Sequence, residues 1–243
     1  MTTLIVSDIH LGSRNCRAEH LSQLLETDFD RLILNGDTVN SLNLKKLRPD
    51  HWKLLGQLRA IAQERELVLI RGNHEGLAGV KNGFGSLDVL GSLLSVDLQE
   101  EYRLETQGRC YLVLHGDRFD PTLQWPIITD VAEWGYQAIQ KLNKKGAKWL
   151  KHKAKKLGGV VELVKRRSIQ YARDQGYQGI IAGHTHFSDD EWIDDVHYLN
   201  TGCWTDQPCT YVLADDDGIQ LRHWDSQGPE RHEKKPLPLL CRA

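Results

Sequence analysis

The chain has 243 residues, of which 40% are hydrophobic and 26% charged, with a formal net charge of −2. This length suits one large domain, and the near-neutral charge favours no particular partner. No apolar run approaches the about 18 residues that a membrane-spanning helix needs, and the opening MTTLIVSD reads as a strand rather than a signal peptide. Five cysteines without a CxxC spacing indicate a reducing compartment. We expect a cytoplasmic protein, with peripheral contact at the inner face of the membrane left open.

Short apolar runs that end in glycine or polar residues are typical of strands buried on both faces. Helical patterns at Ala18–Leu25 and Asp50–Glu64 separate the first three runs and predict βαβ units with a mostly parallel core. The predicted buried strands are Leu4–Ser7, Arg31–Leu34, Leu67–Ile70, Tyr111–Leu114 and Gly179–Ala182.

Two predicted hairpins interrupt the alternation of strands and helices. One joins Tyr102–Glu105 to Cys110–Leu114 through a turn at Gly108. The other joins Thr210–Ala214 to Ile219–Trp224 through a turn that ends at Gly218. A mixed sheet, or two packed sheets, follows from this pattern.

Residues 121–176 have a helical pattern and separate two of the polar motifs described next, so we expect a helical insertion that caps the core. Apolar residues recur there at helical spacing, and Lys141–Lys156 carries eight lysines. The insertion could be a lid over substrate, a surface that contacts anionic lipid headgroups, or a solvated helix. The single domain is expected to span residues 1–226, followed by an irregular tail at 227–243.

Polar residues of one chemical kind follow five of the predicted strands. Ligands of open α/β sheets bind beyond the carboxyl ends of the strands, so these residues should converge on one crevice. Each motif alone is weak, since a lone His115 is typical of a structural histidine; the five together indicate a metal site. They are Asp8-Ile9-His10, Asn35-Gly36-Asp37, Gly72-Asn73-His74-Glu75, His115-Gly116-Asp117 and Gly183-His184-Thr185-His186.

Carboxylate, imidazole and amide donors suit Mn, Fe or Zn. Two ions about 3.5–4 Å apart need a shared carboxylate and separate imidazoles, and Asp37 is the natural bridge. The pair would bind a hydroxide that attacks phosphorus in line. We expect two divalent ions as cofactors, with Mn favoured. The other histidines are expected to be structural or on the surface: His20, His51, His152, His197, His223 and His232.

The motifs DxH, GD, GNHE, HGD and GHTH together resemble the calcineurin-like metallophosphoesterase superfamily over residues 3–224. The resemblance implies an α/β fold of two packed mixed β-sheets flanked by helices, with a helical cap. It implies that His74 stands beside the scissile phosphate as an acid or charge stabiliser, oriented by Glu75. It also implies two ligand sets: Asp8, His10, Asp37 and His186 for one ion, and Asp37, Asn73, His115 and His184 for the other.

Three segments are similar to the UDP-2,3-diacylglucosamine pyrophosphatase family: Ser7–Arg14, His115–Asp120 and Asn200–Trp204. That family hydrolyses a pyrophosphate in lipid A synthesis and holds acyl chains with a helical cap. Arg14 and the adjacent Asn15 are candidate substrate-binding residues. The chain departs from the well-known proteobacterial members, which carry arginine where this chain has His74.

Several functions are compatible with these residues. The leading interpretation is an enzyme that cleaves a phosphoanhydride or phosphodiester in a phosphorylated small molecule or a lipid-linked nucleotide. A general phosphodiesterase, nucleotide phosphatase or nuclease of the same superfamily is an alternative, although the lysine run lacks the interleaved aromatic residues that stack bases. A binding scaffold, like the retromer subunit with this fold, would need neither His74 nor a complete ligand set.

Overall fold

The computed structural model describes residues 1–40, 44–75, 86–124, 146–225 and 228–229. The helices are α1 (Ala18–Leu24), α2 (Pro49–Glu64), α3 (Ser86–Leu94) and α4 (Gly146–Asp174). The strands are β1 (Thr3–Val6), β2 (Arg31–Asn35), β3 (Glu66–Ile70), β4 (Leu98–Gln99), β5 (Tyr102–Thr106), β6 (Arg109–Val113), β7 (Gly179–Ala182), β8 (Asp189–Ile193), β9 (Val196–Asn200), β10 (Cys209–Asp215), β11 (Gly218–Asp225) and β12 (Gly228–Pro229).

The described strands form two mixed sheets. The first has the order β12-β11-β10-β1-β2-β3-β4 and the second the order β5-β6-β7-β9-β8. Strands β1, β2, β3 and β4 are parallel neighbours in the first sheet, and β6, β7 and β9 are parallel neighbours in the second. Strands β1, β2, β3 and β7 are rich in leucine, isoleucine and valine and are buried on both faces.

Three buried clusters define four layers. The cluster with Ile33 and Ile181 lies between the two sheets. Helices α1, α2 and α3 cover the outer face of the first sheet around Leu54 and Leu90. Helix α4 covers the outer face of the second sheet through Val164 and its neighbours. The expected architecture of two packed mixed sheets flanked by helices is confirmed.

Both predicted hairpins form. The β5–β6 turn has positive φ at Gln107 and Gly108, and the β10–β11 turn connects Asp215 to Gly218. A third hairpin, β8–β9, was not expected from the sequence. Its turn uses Asp194 at φ 55° rather than a glycine, so the usual turn signal is missing.

Helix α4 supplies the described part of the insertion, and it runs through Gly158 and Gly159 without interruption. Residues 125–145, and with them the first part of the predicted apolar stripe, lie outside the described residues. The side chains of the lysine run Lys141–Lys156 also lie outside them, so membrane contact remains a prediction. The tail, expected to be irregular, begins with strand β12 paired to β11. Among the described helices, none is both long and apolar enough to cross a membrane.

Candidate metal centre

The loops that follow β1 and β2 are joined by backbone hydrogen bonds. The Asp8 N–H donates to the Gly36 carbonyl at 3.1 Å, and the His10 N–H donates to the Asp37 carbonyl at 2.9 Å. Parallel pairing of the strands therefore continues into the loops. It brings the first two polar motifs side by side at the carboxyl edge of the sheet.

Left-handed backbone conformation is concentrated at this edge. Of the eight non-glycine residues with positive φ in the described parts of the chain, five belong to the predicted metal site. Such a conformation costs free energy and persists where surrounding hydrogen bonds fix it, which is common at functional sites. The five are Asp8, His10, Asp37, His184 and His186, with φ between 50° and 66°.

The glycines of the motifs serve two different needs. Gly36 has φ +83°, and a side chain there would collide with the His115 ring. Gly183 has no positive φ; a Cβ there would lie 2.7 Å from an Asp8 carboxylate oxygen. At Gly183 the glycine therefore provides space for the close approach of the Asp8 carboxylate rather than a left-handed turn.

One group of side chains that could donate ligand atoms to a metal ion contains Asp8, His10 and His186. The His186 Nε2 lies 3.1 Å from both the Asp8 Oδ1 and the His10 Nε2. The Asp8 Oδ2 is already used, because it accepts hydrogen bonds from the Ser7 hydroxyl and from the His184 N–H. Its Oδ1 is thus the oxygen that faces the imidazoles.

A second group contains Asp8, Asp37 and His115, all buried. The His115 Nδ1 donates to the Asn35 carbonyl at 2.9 Å, so its Nε2 faces the Asp37 Oδ1 at 3.5 Å. The Asp37 Oδ2 lies 3.8 Å from the Nε2 atoms of both His10 and His74. Asp37 therefore stands between the donor groups, as its predicted bridging role requires.

Asn73 and His184 face each other on the far side of Asp37. The Asn73 Oδ1 lies 3.0 Å from the His184 Nδ1. The opposite ring nitrogen of His184 is 2.9 Å from the Asp120 Oδ2. Asp120, which was not among the predicted site residues, thus contacts one of them directly.

The donor chemistry fits divalent cations. The buried atoms Asp8 Oδ1 and His115 Nε2 have no hydrogen-bond partner among the described residues. Unpartnered buried polar atoms are costly, and here they point into a cluster of carboxylates and imidazoles. A bound cation would satisfy them, so the residues present suit the metal ions that the sequence predicts.

In the metal-free site, burial and neighbouring charges set the pKa values of the histidines and carboxylates. Burial alone would lower the pKa of His115, but the charges of Asp37 and Asp8 raise it to about 10. Burial would raise the pKa of Asp8, but His186 and His115 lower it to about 2. Burial lowers the pKa of His10 to about 4. A proton on His115 therefore balances the negative charge of the carboxylates. Metal binding would displace this proton.

Glu75 joins two of the loops that carry the donors. Its carboxylate accepts the backbone N–H groups of Asp37, Val39 and Gly72 at 2.9–3.1 Å, and the residue is 1% exposed. Burial and the charge of Asp37 raise the pKa of Glu75 to about 7. These bonds give Glu75 a role in holding the loops, and its predicted orientation of His74 remains a prediction.

Replacing Glu75 with alanine should leave three buried backbone N–H groups without an acceptor. At about 1 kcal/mol or more for each, we expect the free energy of unfolding of the metal-free protein to fall by about 3 kcal/mol. Urea denaturation of Glu75→Ala and of the control Glu26→Ala, at an exposed position after α1, measures this. Equal midpoints for the two variants would contradict the role in holding the loops.

His74 lies at the open edge of the cluster, with one third of its side chain exposed. Its backbone N–H donates to the Asp37 Oδ1 at 2.9 Å, and its Nδ1 lies 3.3 Å from the Asn40 carbonyl. Its ring packs edge-on against His10, with 4.7 Å between centroids. The ring is thus held at the mouth of the site with its Nε2 directed toward Asp37.

Arg14 and Asn15 are exposed on the loop between β1 and α1, where they line an open surface pocket with Arg17 and Thr205. This loop is anchored by Arg48, whose guanidinium donates to backbone carbonyls between Ser13 and Cys16. The structure thus places the two candidate substrate-binding residues on the surface, in a pocket that contains none of the predicted metal ligands.

Two residues near the donors were missed by sequence reasoning. Asp120 contacts His184. Burial would raise the pKa of the Cys203 thiol, but the neighbouring His186 lowers it. For Asp120 a local signal exists, because aspartate two residues before Thr122 is the pattern of an Asx turn. Cys203 carries no such signal. The four described cysteines are free thiols.

Residues 1–188 match the calcineurin-like phosphoesterase family. Among solved structures, the chain is similar to Yfce, a phosphoesterase from E. coli, with 17% identity, a TM-score of 0.51, and coverage of 90% of this chain and 91% of that one. It is also similar to vacuolar protein sorting 29 from Cryptosporidium parvum, with 13% identity, a TM-score of 0.50 and 94% coverage of both chains. A search of curated proteins found no match. The fold, the ordered motifs and the family match agree: the chain belongs to the calcineurin-like phosphoesterase family.

Proposed function

We propose that the protein is a metal-dependent phosphoesterase that hydrolyses a phosphodiester or a phosphoanhydride. The observation that carries this proposal is the buried cluster of carboxylates and imidazoles around Asp37, in which Asp8 Oδ1 and His115 Nε2 have no hydrogen-bond partner, with the His74 imidazole at its open edge. When bound there, two divalent ions would supply Lewis acidity and an activated water nucleophile.

The chain's own residues supply the rest of the chemistry. His74 is the group best placed to give a proton to the leaving oxygen, because its Nε2 faces the cluster and a third of its side chain is open to substrate. The contact between its Nδ1 and the Asn40 carbonyl holds the ring in that orientation.

An enzyme explains this arrangement better than a binding scaffold does. A scaffold gains nothing from an exposed imidazole held over a cluster of donors, or from five donor residues kept in left-handed backbone conformation. The likeness to vacuolar protein sorting 29 concerns the fold alone.

The position of α4 supports the proposal that the insertion selects the substrate. A short connection joins the C-terminus of α4 to β7. The helix packs against this strand and therefore runs antiparallel to it. The Arg167 guanidinium donates to the Phe119 carbonyl at 3.1 Å, which places this part of α4 level with the loop that follows β6. The helix extends about 30 Å further toward its N-terminus, beyond the edge of the sheet where the donors lie.

We propose further that a UDP-linked acylated sugar is the preferred substrate class. Metal-assisted cleavage of the P–O bond is nearly indifferent to the group attached to the phosphate, so selectivity must come from remote contacts. The segment 121–176 is the element that the sequence offers for such contacts, and its apolar pattern suits acyl chains better than bases. At about 0.8 kcal/mol for each buried CH₂, three or four methylenes would outweigh a typical hydrogen bond.

A comparison of kcat/KM tests this proposal. We expect the acylated UDP-sugar to exceed the unacylated one by roughly 200-fold, the value for about four buried methylenes. The small diester bis(p-nitrophenyl) phosphate reports the chemistry without remote contacts. Equal kcat/KM values for the two UDP-sugars would favour a general phosphodiesterase. Absence of hydrolysis of every substrate with Mn²⁺, Fe²⁺ and Zn²⁺ would favour a scaffold.

A further inference from the structure

The His184 ring is held at both nitrogens. Its Nε2 lies 2.9 Å from the Asp120 Oδ2, and its Nδ1 lies 3.0 Å from the Asn73 Oδ1. The side chains of His184 and Asp120 are each only 10% exposed. Asp120 lies outside the ligand sets implied by the family resemblance, and it contacts one of the implied ligands, His184.

Asp120 is itself fixed by its neighbour. Its Oδ1 accepts the backbone N–H of Thr122 at 2.8 Å and the Thr122 hydroxyl at 2.7 Å. Both donors use the same oxygen, so Oδ2 is left to face His184. The carboxylate can therefore neither rotate nor exchange its oxygens without losing two hydrogen bonds.

The hydrogen-bond roles around His184 follow from this arrangement. An ionised carboxylate only accepts, so the proton of His184 must sit on Nε2, and Nδ1 presents its lone pair. That lone pair faces the Asn73 Oδ1, which is also an acceptor, at 3.0 Å. Two acceptors at this separation repel each other unless a cation lies against both, and the separation is that of neighbouring ligands about 2.1 Å from one ion.

We propose that Asp120 is a positioning residue that fixes the tautomer and orientation of His184, so that Nδ1 and the Asn73 Oδ1 together hold one divalent ion. A carboxylate behind a ligand histidine is a recurrent arrangement, and its loss typically weakens metal binding about 10–100-fold. The inference rests on the proposed metal-dependent function, and it adds a residue through which the chain controls metal affinity.

Asp120→Asn gives a specific test because Thr122 fixes the orientation of the new amide. The two Thr122 donors require the amide oxygen at the Oδ1 position, which turns the amide NH₂ toward the His184 Nε2. The Nε2 must then accept, the proton moves to Nδ1, and Nδ1 can no longer bind a metal. Asp120→Ala leaves Nε2 without a partner and both tautomers accessible. We therefore expect a larger loss for the isosteric asparagine than for alanine.

The measurement is calorimetric titration of Mn²⁺ into metal-free protein, which requires no substrate. We expect one of the two ions to bind about 100-fold more weakly in Asp120→Asn and about 10-fold more weakly in Asp120→Ala. The matched control is Asp190→Asn, since the Asp190 carboxylate makes the same kind of contact with the His197 ring at 3.0 Å. His197 pairs with Gly179 at the start of β7, away from the edge of the sheet where the predicted metal ligands lie. This control should bind Mn²⁺ like the wild type. Thermal melting of the metal-free variants shows that each is folded.

Two outcomes separate the inference from the proposed function. Wild-type affinity in Asp120→Asn, or a larger loss in Asp120→Ala than in Asp120→Asn, would overturn the positioning role alone. Failure of the wild-type chain to bind Mn²⁺ would overturn the metal-dependent function and this inference with it.

Discussion

Purified Asp37→Ala is expected to contain almost no divalent metal, against about two ions per chain in the wild type, and to have lost hydrolysis completely. Asp37 is 2% exposed, and its two carboxylate oxygens face different donors. Its Oδ1 is 3.5 Å from the His115 Nε2, and its Oδ2 is 3.8 Å from the His10 Nε2. Removing it takes a negative charge away from both sides of the cluster at once.

Metal analysis of the pure protein measures this effect. Asp28→Ala is the matched control, because Asp28 is exposed and lies before the N-terminal end of β2, whereas Asp37 follows the C-terminal end of the same strand. It should retain both ions and full activity. Two ions in Asp37→Ala would show that the carboxylate does not bridge, and one retained ion would assign Asp37 to a single site. Melting of the metal-free proteins separates loss of metal from loss of fold.

The location of the site could be predicted from the sequence because the order of apolar and polar residues shows where each buried strand ends. An apolar run followed by Asp8, Asp37 or His184 marks the carboxyl end of a buried strand, and parallel pairing brings such ends to one edge. The two sheets pack with these edges together, so motifs as distant as residues 8 and 186 meet. The fold class was predictable for the same reason.

The contacts around the donors could not be predicted in this way. Asp120 and His184 are 64 residues apart, and no spacing links them. The carboxylate of Glu75 accepts backbone N–H groups of Asp37 and Val39 in another loop, and backbone groups leave no trace in the side-chain pattern. The left-handed backbone at Asp8 was equally hidden, since such conformation is predicted from glycine and is here imposed on other residues by tertiary hydrogen bonds.

Elements with weak local signals were also missed. Strand β8 contains Asp189, Asp190 and Glu191, and charged residues of this kind are depleted in strands. It forms because β9 is fully buried and offers it an edge, while Lys165 on α4 pairs with two of its carboxylates. Tertiary contacts thus override local propensity at this edge of the second sheet.

His74→Ala is expected to bind metal normally and to turn over about 10²–10⁴-fold more slowly. One third of the His74 side chain is exposed, and its Nε2 lies 3.8 Å from the Asp37 Oδ2. The same position would also allow His74 to act as a metal ligand with His10 and Asp37, since their donor atoms lie within 4.8 Å of one another. Metal content distinguishes the two roles: a ligand loses metal with its side chain, and a proton donor does not.

The variant His74→Arg then separates a proton donor from a charge stabiliser. Arginine keeps a positive charge at the mouth of the site, but its pKa above about 12 prevents it from giving up a proton at neutral pH. If His74 is the acid, His74→Arg should be as slow as His74→Ala. If its charge alone is used, His74→Arg should keep most of the rate and lose the dependence on pH that a histidine causes. His20→Ala, at a half-buried position on α1, is the control and should match the wild type in both rate and metal content. An unchanged kcat in His74→Ala would remove this residue from the mechanism, and the proton would then have to come from solvent.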